Sequence, residues 1–215
     1  MTRRIVVVTA GLSAPSSTRL LADRLAEAGV EQLRSRGVHA EVEVVELRDL
    51  ARPLADRMVT GFADEALQGA LDAVATADGV VAVTPVFSAS YAGLFKSFFD
   101  VLEPGVLAGT PVLIAATAGT ARHSLVLDHA LRPLFAYLKA VVVPTGVFAA
   151  SEDFGSTQEG RLQERVQVAA GELAELVSGR PDPRAGGRPS RREPTASEVL
   201  DGRAEVTPFE QLLRR

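Results

Sequence analysis

The sequence contains no cysteine and no tryptophan, and its only histidines are His39, His123 and His129. Without cysteine, disulfides, thiol nucleophiles and cysteine-based metal sites are excluded. No apolar run approaches the roughly 18 residues needed to cross a bilayer, so no membrane segment is expected. The apolar segment Ile5–Leu12 is too short for the hydrophobic region of a signal peptide. A cytoplasmic protein is therefore expected.

Basic charge is also scarce, because 23 Lys and Arg residues face 27 Asp and Glu residues, giving a formal net charge of −4. General affinity for nucleic acid needs a basic surface, so no nucleic-acid partner is expected. The 215 residues are 47% hydrophobic. This length and composition suit one globular domain with a sizeable core.

What the chain does contain is a regular alternation of strand and helix patterns. The predicted strands are Ile5–Val8, His39–Leu47, Gly79–Thr84, Pro111–Thr117 and Val141–Phe148, the last interrupted by Pro144. Helical spacing covers Thr18–Arg36, Phe62–Thr76, Tyr91–Leu102, Arg122–Leu138 with a bend or break at Pro133, and Ser156–Val177. The segment Arg48–Gly61, around Pro53, is expected to be an irregular loop. The alternation predicts an α/β protein with a doubly wound, five-stranded parallel sheet and helices on both faces.

The composition changes after Ser178. Residues 1–178 are predicted to form one domain, and residues 179–215 a flexible tail rich in proline, glycine and arginine. Near its end, Thr207 and Glu210 form a capping-box pattern around Pro208, which predicts a short terminal helix. That helix is either a frayed terminus or an arm that docks on a neighbouring subunit.

The loop after the first predicted strand is rich in hydroxyls and opens directly onto a helix. Ser13, Ser16, Ser17 and Thr18 lie there, and a helix amino terminus offers free amides and a positive dipole end. The loop lacks a P-loop lysine and the further glycines of a dinucleotide fingerprint. A single phosphomonoester is therefore the best-suited ligand, whereas ordinary helix capping would explain only one of the four hydroxyls.

The loops after the third and fourth predicted strands are small, polar and almost uncharged. The segment Thr84–Asp100 combines a proline turn with small and aromatic residues, and Thr117–Thr120 is again small and polar. In a doubly wound sheet these loops meet the first loop at the carboxyl edge, around the switch in strand order. Together the three loops suit a phosphate at one end and a flat heteroaromatic ring at the other, which is the shape of FMN.

The same segments resemble a known family. The patterns are Gly11-x-x-x-Pro15-Ser16-x-Thr18, the whole of Thr84–Asp100, and Ala116-Thr117-x-Gly119-x-x-Arg122-His123 followed by Leu131–Phe135. They look like the NAD(P)H-dependent FMN reductases, within them the branch that serves alkanesulfonate and other luciferase-like flavin monooxygenases. The similarity covers about residues 4 to 154. It implies a flavodoxin-like fold, bound FMN, a homodimer or homotetramer, and a flavin-dependent monooxygenase as the acceptor of reduced FMN.

The resemblance also implies which residues bind the cofactor. The phosphate loop corresponds to Ser13, Ser16, Ser17 and Thr18; the ring-binding loop to Thr84, Pro85, Val86 and Phe87, with Ser88 and Tyr91 nearby; and the third loop to Thr117, Ala118, Gly119 and Thr120. The family often has Gly-Gly where this chain has Ala118-Gly119. If Ala118 had to adopt positive φ, the strain would cost about 1 kcal/mol.

The implied reaction is hydride transfer from NADPH or NADH to FMN, which requires no protein nucleophile and no metal. No catalytic side chain and no metal ligand are predicted. Arg122 and His123 are either a contact for the dinucleotide or ordinary surface residues, and Lys96 with Asp100 suits a local ion pair. Two other functions stay open: an FMN-containing quinone or azo reductase, and a flavodoxin-type electron carrier without nicotinamide turnover.

Overall fold

The computed structural model describes residues 2–154 and 159–180. Its seven strands belong to a single sheet. They are β1 (Thr2–Thr9), β2 (His39–Glu46), β3 (Gly79–Phe87), β4 (Ser90–Tyr91), β5 (Pro111–Ala118), β6 (Val141–Val142) and β7 (Val147–Ala150). The five predicted strands are confirmed. The last of them is divided into β6 and β7, and the break between these includes Pro144, which cannot donate to a ladder.

The order β2-β1-β3-β5-β6 is parallel throughout, with β7 continuing beside β5. Counting β6 and β7 as one strand and leaving β4 aside, this is the 2-1-3-4-5 order of the flavodoxin-like doubly wound fold. The strand order reverses at β1, which lies between β2 and β3. Ligands of such sheets bind beyond the carboxyl ends of the strands at this switch.

Helices cover both faces of the sheet. They are α1 (Ser17–Ser35), α2 (Ala51–Thr60), α3 (Glu65–Ala75), α4 (Gly93–Asp100), α5 (Arg132–Tyr137) and α6 (Glu159–Ser178). One core lies between the sheet and α1 with α6, and the other between the sheet and α2 to α5. Strand β1 supplies Val7 to the first core and Val8 to the second, as expected of a central strand with alternating side chains.

The prediction of an irregular loop over Arg48–Gly61 is wrong. Leu47–Leu50 form a 3₁₀ turn, and α2 follows without interruption. Pro53 is the third residue of α2, where the amide of an ordinary residue would have no partner within the helix. The proline is therefore compatible with the first helical turn, and Gly61, at φ 82°, ends the helix in the left-handed conformation.

The predicted helix over Arg122–Leu138 is divided. A 3₁₀ turn at Ala121–His123 is followed by a π-helical segment, Leu127–Leu131, and then by α5. Pro133 is the second residue of α5, so the regular helix begins just before it. The predicted bend or break at this proline corresponds to a change from π-helical to α-helical structure at Arg132.

A buried ion pair links β1 to the residue that precedes β3, and its arginine also contacts the chain just after α6. Arg3 Nη1 donates to Asp78 Oδ1 at 3.0 Å, and Arg3 Nη2 donates to the carbonyl of Arg180. The backbone N–H of Arg4 donates to the other Asp78 oxygen at 2.9 Å. The predicted start of the last helix at Ser156 and the predicted tail beyond Arg180 lie outside the described residues. Within residues 2–154 and 159–180, no helix is long and apolar enough to cross a membrane.

Candidate functional site

The loops after β1, β3 and β5 meet at the carboxyl edge because these strands are neighbours in the sheet. Thr9 of β1 pairs with Val83, and Pro85 of β3 pairs with Thr117 of β5. The arrangement predicted for the three loops is therefore present. Among the described residues no group of His, Cys, Asp and Glu side chains could hold a metal ion.

The first loop folds tightly back onto the start of α1. A Cβ placed on Gly11 would lie 2.1 Å from Ser16 Oγ and 3.2 Å from the Cβ of Thr18, so a larger residue there would force Ser16 to shift. Ser16 is the N-cap of α1, and its hydroxyl accepts from the Arg19 amide at 3.2 Å. Helix capping therefore explains the role of the Ser16 hydroxyl, which was the alternative interpretation of the sequence. The first loop nevertheless closes around the amino terminus of α1.

Three buried threonine hydroxyls lie beneath this loop. Thr9 shares a face of β1 with Val7, and Thr117 shares a face of β5 with Leu113, so both point toward the α1 side of the sheet. Thr18 Oγ1 and Thr117 Oγ1 are 2.8 Å apart. Thr9 Oγ1, by contrast, is buried and has no hydrogen-bond partner among the described residues.

The second loop is a β-hairpin that the sequence patterns did not predict. Strand β4 folds back on the end of β3, pairing Phe87 with Ser90 and Val86 with Tyr91. The two turn residues, Ser88 and Ala89, have φ of 48° and 65°. Positive φ at both positions is the geometry of a type I′ turn, which usually contains Asn and Gly.

Thr84 supports this hairpin from within. Its hydroxyl is buried, donates to the Pro85 carbonyl at 2.9 Å and accepts from the Ala92 amide at 3.0 Å. Thr84 therefore positions the hairpin and the start of α4. Phe87 is 49% exposed, while Pro85, Val86 and Tyr91 are half-buried.

The third loop begins at the end of β5. Ala118 is the last residue of that strand, is half-buried and does not have positive φ. The strain considered for it is therefore absent. Gly119 and Thr120 follow as exposed residues, and a Cβ on Gly119 would meet no atom within 4 Å. This loop therefore has open space around Gly119.

Two arginines flank the first loop. Arg19 Nε donates to Asp23 at 2.7 Å, its Nη1 donates to Glu46, and the pKa of Arg19 is raised, chiefly by the hydrogen bond to Asp23. Arg48 Nη1 approaches the carbonyl of Ser13 at 3.4 Å, and its Nε lies 3.2 Å from Glu46 Oε2. Glu46 thus contacts both cations.

The residues present fit the phosphate end of FMN. A buried hydroxyl normally has a hydrogen-bond partner, and a phosphate oxygen at the end of β1 would provide an acceptor for Thr9. The closure of the loop around Gly11 and the first amides of a 19-residue helix suit the same anion. Ser13 and Ser17 are exposed beside it.

Several residues considered from the sequence lie apart from this arrangement or have local roles. Arg122 and His123 are exposed in the 3₁₀ turn beyond the third loop, and Lys96 pairs with Asp100 on α4, as predicted. The sequence patterns did not identify three features of the first loop. These are the Thr9 hydroxyl, which has no partner among the described residues, the close approach of Ser16 to Gly11, and the contact of Arg48 with the loop. Gly11 could have been found from its place between strand and helix, whereas Thr9 and Arg48 depend on contacts between distant segments.

Comparison with known proteins agrees with this geometry. The family model described as NADPH-dependent FMN reductase matches residues 3–155. The FMN reductase (NADPH) of Pseudomonas aeruginosa is 39% identical over 180 residues, which is 82% of this chain and 94% of the relative. The NADH-dependent FMN reductase SfnE of Pseudomonas putida is 38% identical over 168 residues, covering 77% of this chain and 88% of the relative.

Among solved structures, an oxidoreductase from Corynebacterium diphtheriae superimposes with a TM-score of 0.82 at 50% identity, covering 84% of this chain and 99% of that one. The family match spans β1 to the end of β7 and so includes all three loops of the site. The chain therefore belongs to the NADPH-dependent FMN reductase family.

Proposed function

We propose that the protein is an NAD(P)H:FMN oxidoreductase. The observation that carries the proposal is the first loop, where Gly11 permits close contact with Ser16 and a buried Thr9 hydroxyl has no partner in the described part of the chain. These features suit a phosphate at the start of α1, beside an open, weakly charged hairpin. Membership of the FMN reductase family supports the same activity.

Bound FMN would supply the reaction's chemistry by accepting a hydride from the nicotinamide. The protein residues hold and orient the reactants. The first loop, through Ser13, Ser16, Ser17 and Thr18, is proposed to bind the phosphate. Pro85, Val86, Phe87, Ser88 and Tyr91, with Ala118, Gly119 and Thr120, are proposed to border the ring, while Thr84 and Thr117 position the loops through their hydrogen bonds.

The hydride donor is proposed to be NADPH or NADH. One relative is named for NADPH and another for NADH, so family membership does not select between them. Arg122 and His123 are the exposed cationic and titratable residues that follow the third loop. They are candidates for contact with the dinucleotide.

The protein is further proposed to act in the cytoplasm and to deliver reduced FMN to a flavin-dependent monooxygenase, as the resemblance of its motifs implies. A homodimer or homotetramer is proposed on the same ground. Val59 and Phe62, near the end of α2, are 86% and 80% exposed, and such apolar side chains support self-association. Light scattering coupled to size-exclusion chromatography tests the oligomer directly.

The activity is tested by mixing the purified protein with FMN and either NADPH or NADH, then following the loss of reduced-nicotinamide absorbance. Oxidation that depends on both protein and FMN is expected. A parallel assay replaces FMN with a quinone or an azo dye under anaerobic conditions. No FMN-dependent oxidation with either donor would defeat the proposal, and turnover restricted to the quinone or dye would replace it with the alternative reductase function.

A further inference from the structure

The first loop has no charged side chain between Ala10 and Thr18. A phosphomonoester carries a charge of about −1.5 to −2 at neutral pH. The amino terminus of α1 offsets only roughly half an elementary charge. A site for this anion therefore gains from a cation supplied by another segment.

Arg19 is close in sequence, but its guanidinium is already engaged. Its Nε donates to Asp23 and its Nη1 donates to Glu46, which directs the side chain along α1 and toward β2. Both contacts are ion pairs. Arg19 therefore serves to connect α1 with the end of β2.

Arg48 occupies a different position, in the 3₁₀ turn that follows β2. Its Nη1 approaches the carbonyl of Ser13 at 3.4 Å, so the guanidinium lies against the first loop. The Nε side faces Glu46 at 3.2 Å and Asp49 at 3.5 Å. Arg48 Nε is buried and has no hydrogen-bond partner among residues 2–154 and 159–180, so these two contacts are ion pairs without a hydrogen bond, whereas Nη1 donates to the first loop.

We propose that Arg48 is the cation that recognises the phosphomonoester of FMN, held in place by Glu46. Glu46 contacts the Nε edge, which leaves the Nη end of the guanidinium facing the loop. The proposal rests on the proposed function and deepens it, because it assigns selectivity for FMN over riboflavin to a residue outside the phosphate loop. Arginine suits this role because it remains charged and has several donors for phosphate oxygens.

The test compares two flavins that differ only in the phosphate. Kd values for FMN and riboflavin are measured by quenching of flavin fluorescence in the unsubstituted protein, Arg48→Gln and Arg48→Lys. Loss of a hydrogen bond to a charged group predicts FMN binding about 10- to 100-fold weaker in Arg48→Gln, with riboflavin binding unchanged. Arg48→Lys keeps the charge and is expected to retain part of the FMN affinity.

Arg52→Gln is the matched control, since Arg52 is exposed on α2 four positions away and its removal changes net charge equally. It should leave both affinities unchanged. Equal losses for FMN and riboflavin in Arg48→Gln, or no loss, would overturn the assignment while leaving the reductase function intact. A selective loss of NADPH affinity relative to NADH would instead assign Arg48 to the 2′-phosphate. Failure of the unsubstituted protein to bind either flavin would overturn the function itself.

Discussion

Thr18 Oγ1 and Thr117 Oγ1 lie 2.8 Å apart, although the two residues are separated by 99 positions in the chain. The first hydroxyl belongs to α1 and the second to the end of β5, and both are buried. The contact therefore ties the first loop to the third across the face of the intervening strand β3. It fixes the separation of the two ends of the proposed flavin site.

Removing the two hydroxyls of this pair should have non-additive effects on stability. Thr117→Val leaves Thr18 Oγ1 buried without its partner, at an expected cost of about 1–3 kcal/mol in the free energy of unfolding. The double variant Thr18→Val/Thr117→Val should lose less than the sum of the single variants. Urea unfolding of all four proteins measures this coupling, and strict additivity would show that the hydrogen bond contributes nothing.

Gly11→Ala should damage flavin binding. The added Cβ would lie 2.1 Å from Ser16 Oγ, so Ser16 must move and lose its capping contact with the Arg19 amide. FMN affinity is expected to fall by about tenfold or more, as loss of one or two hydrogen bonds to an anion predicts. Fluorescence titration with FMN gives the value.

Gly29→Ala is the control for that substitution, because Gly29 lies within α1 and an added Cβ would meet no atom within 4 Å. This change should leave FMN binding intact and stabilise the helix by about 0.5–1 kcal/mol. Equal FMN affinity in Gly11→Ala and Gly29→Ala would show that closure of the first loop is unimportant for the phosphate.

Ala89→Gly should stabilise the protein. Ala89 has φ of 65° in the turn between β3 and β4, where a non-glycine residue is strained by roughly 1–2 kcal/mol. Part of the relief is lost to the greater freedom of glycine in the unfolded chain, so a net gain of about 0.5–1 kcal/mol is expected. Ala92→Gly, at φ −61°, should be destabilising instead. Thermal unfolding of both variants decides the matter, and a lower midpoint for Ala89→Gly contradicts the turn assignment.

Asp78→Ala should be severely destabilising. It removes the partner of buried Arg3 and the acceptor for the Arg4 amide, and an uncompensated buried charge costs about 3–5 kcal/mol. Asp100→Ala breaks the more exposed pair with Lys96 and should cost about 0.5 kcal/mol or less. Chemical denaturation measures the loss in the free energy of unfolding for each variant. Similar losses would mean that the Arg3–Asp78 pair stabilises the protein no more than a surface pair does.

The parts of the fold that were predictable are those fixed by local pattern. The continuous apolar runs at Val6–Val8 and Val80–Val83 predict central strands, and in the structure both faces of each strand are buried. Helix α2 was missed because Pro53 was taken as a breaker, although a proline in the first turn loses no hydrogen bond. The β3–β4 hairpin was missed because Ser88-Ala89 lacks the Asn or Gly that usually marks its turn.

The candidate site, too, could be predicted only in part from the sequence. Hydroxyls and small residues identified the three loops, but not the task of each side chain. In the structure Thr84 is buried and Ser16 caps a helix. Their sequence context alone could not show whether these hydroxyls stabilise the protein's own loops or contact a ligand. Arg48 lies 35 residues from Ser13, and only the packing of the β2–α2 connection beside the first loop brings them together.

The three loops extend from three central, adjacent strands, β1, β3 and β5, and this placement links cofactor affinity to global unfolding. A ligand held by all three can bind only while the middle of the sheet is intact, so local fraying cannot release it. Binding restricted to the folded state would add about 2.7 kcal/mol of stability at a free FMN concentration roughly 100 times its Kd. The melting temperature should accordingly rise with FMN concentration, making flavin supply a determinant of how long the folded protein persists.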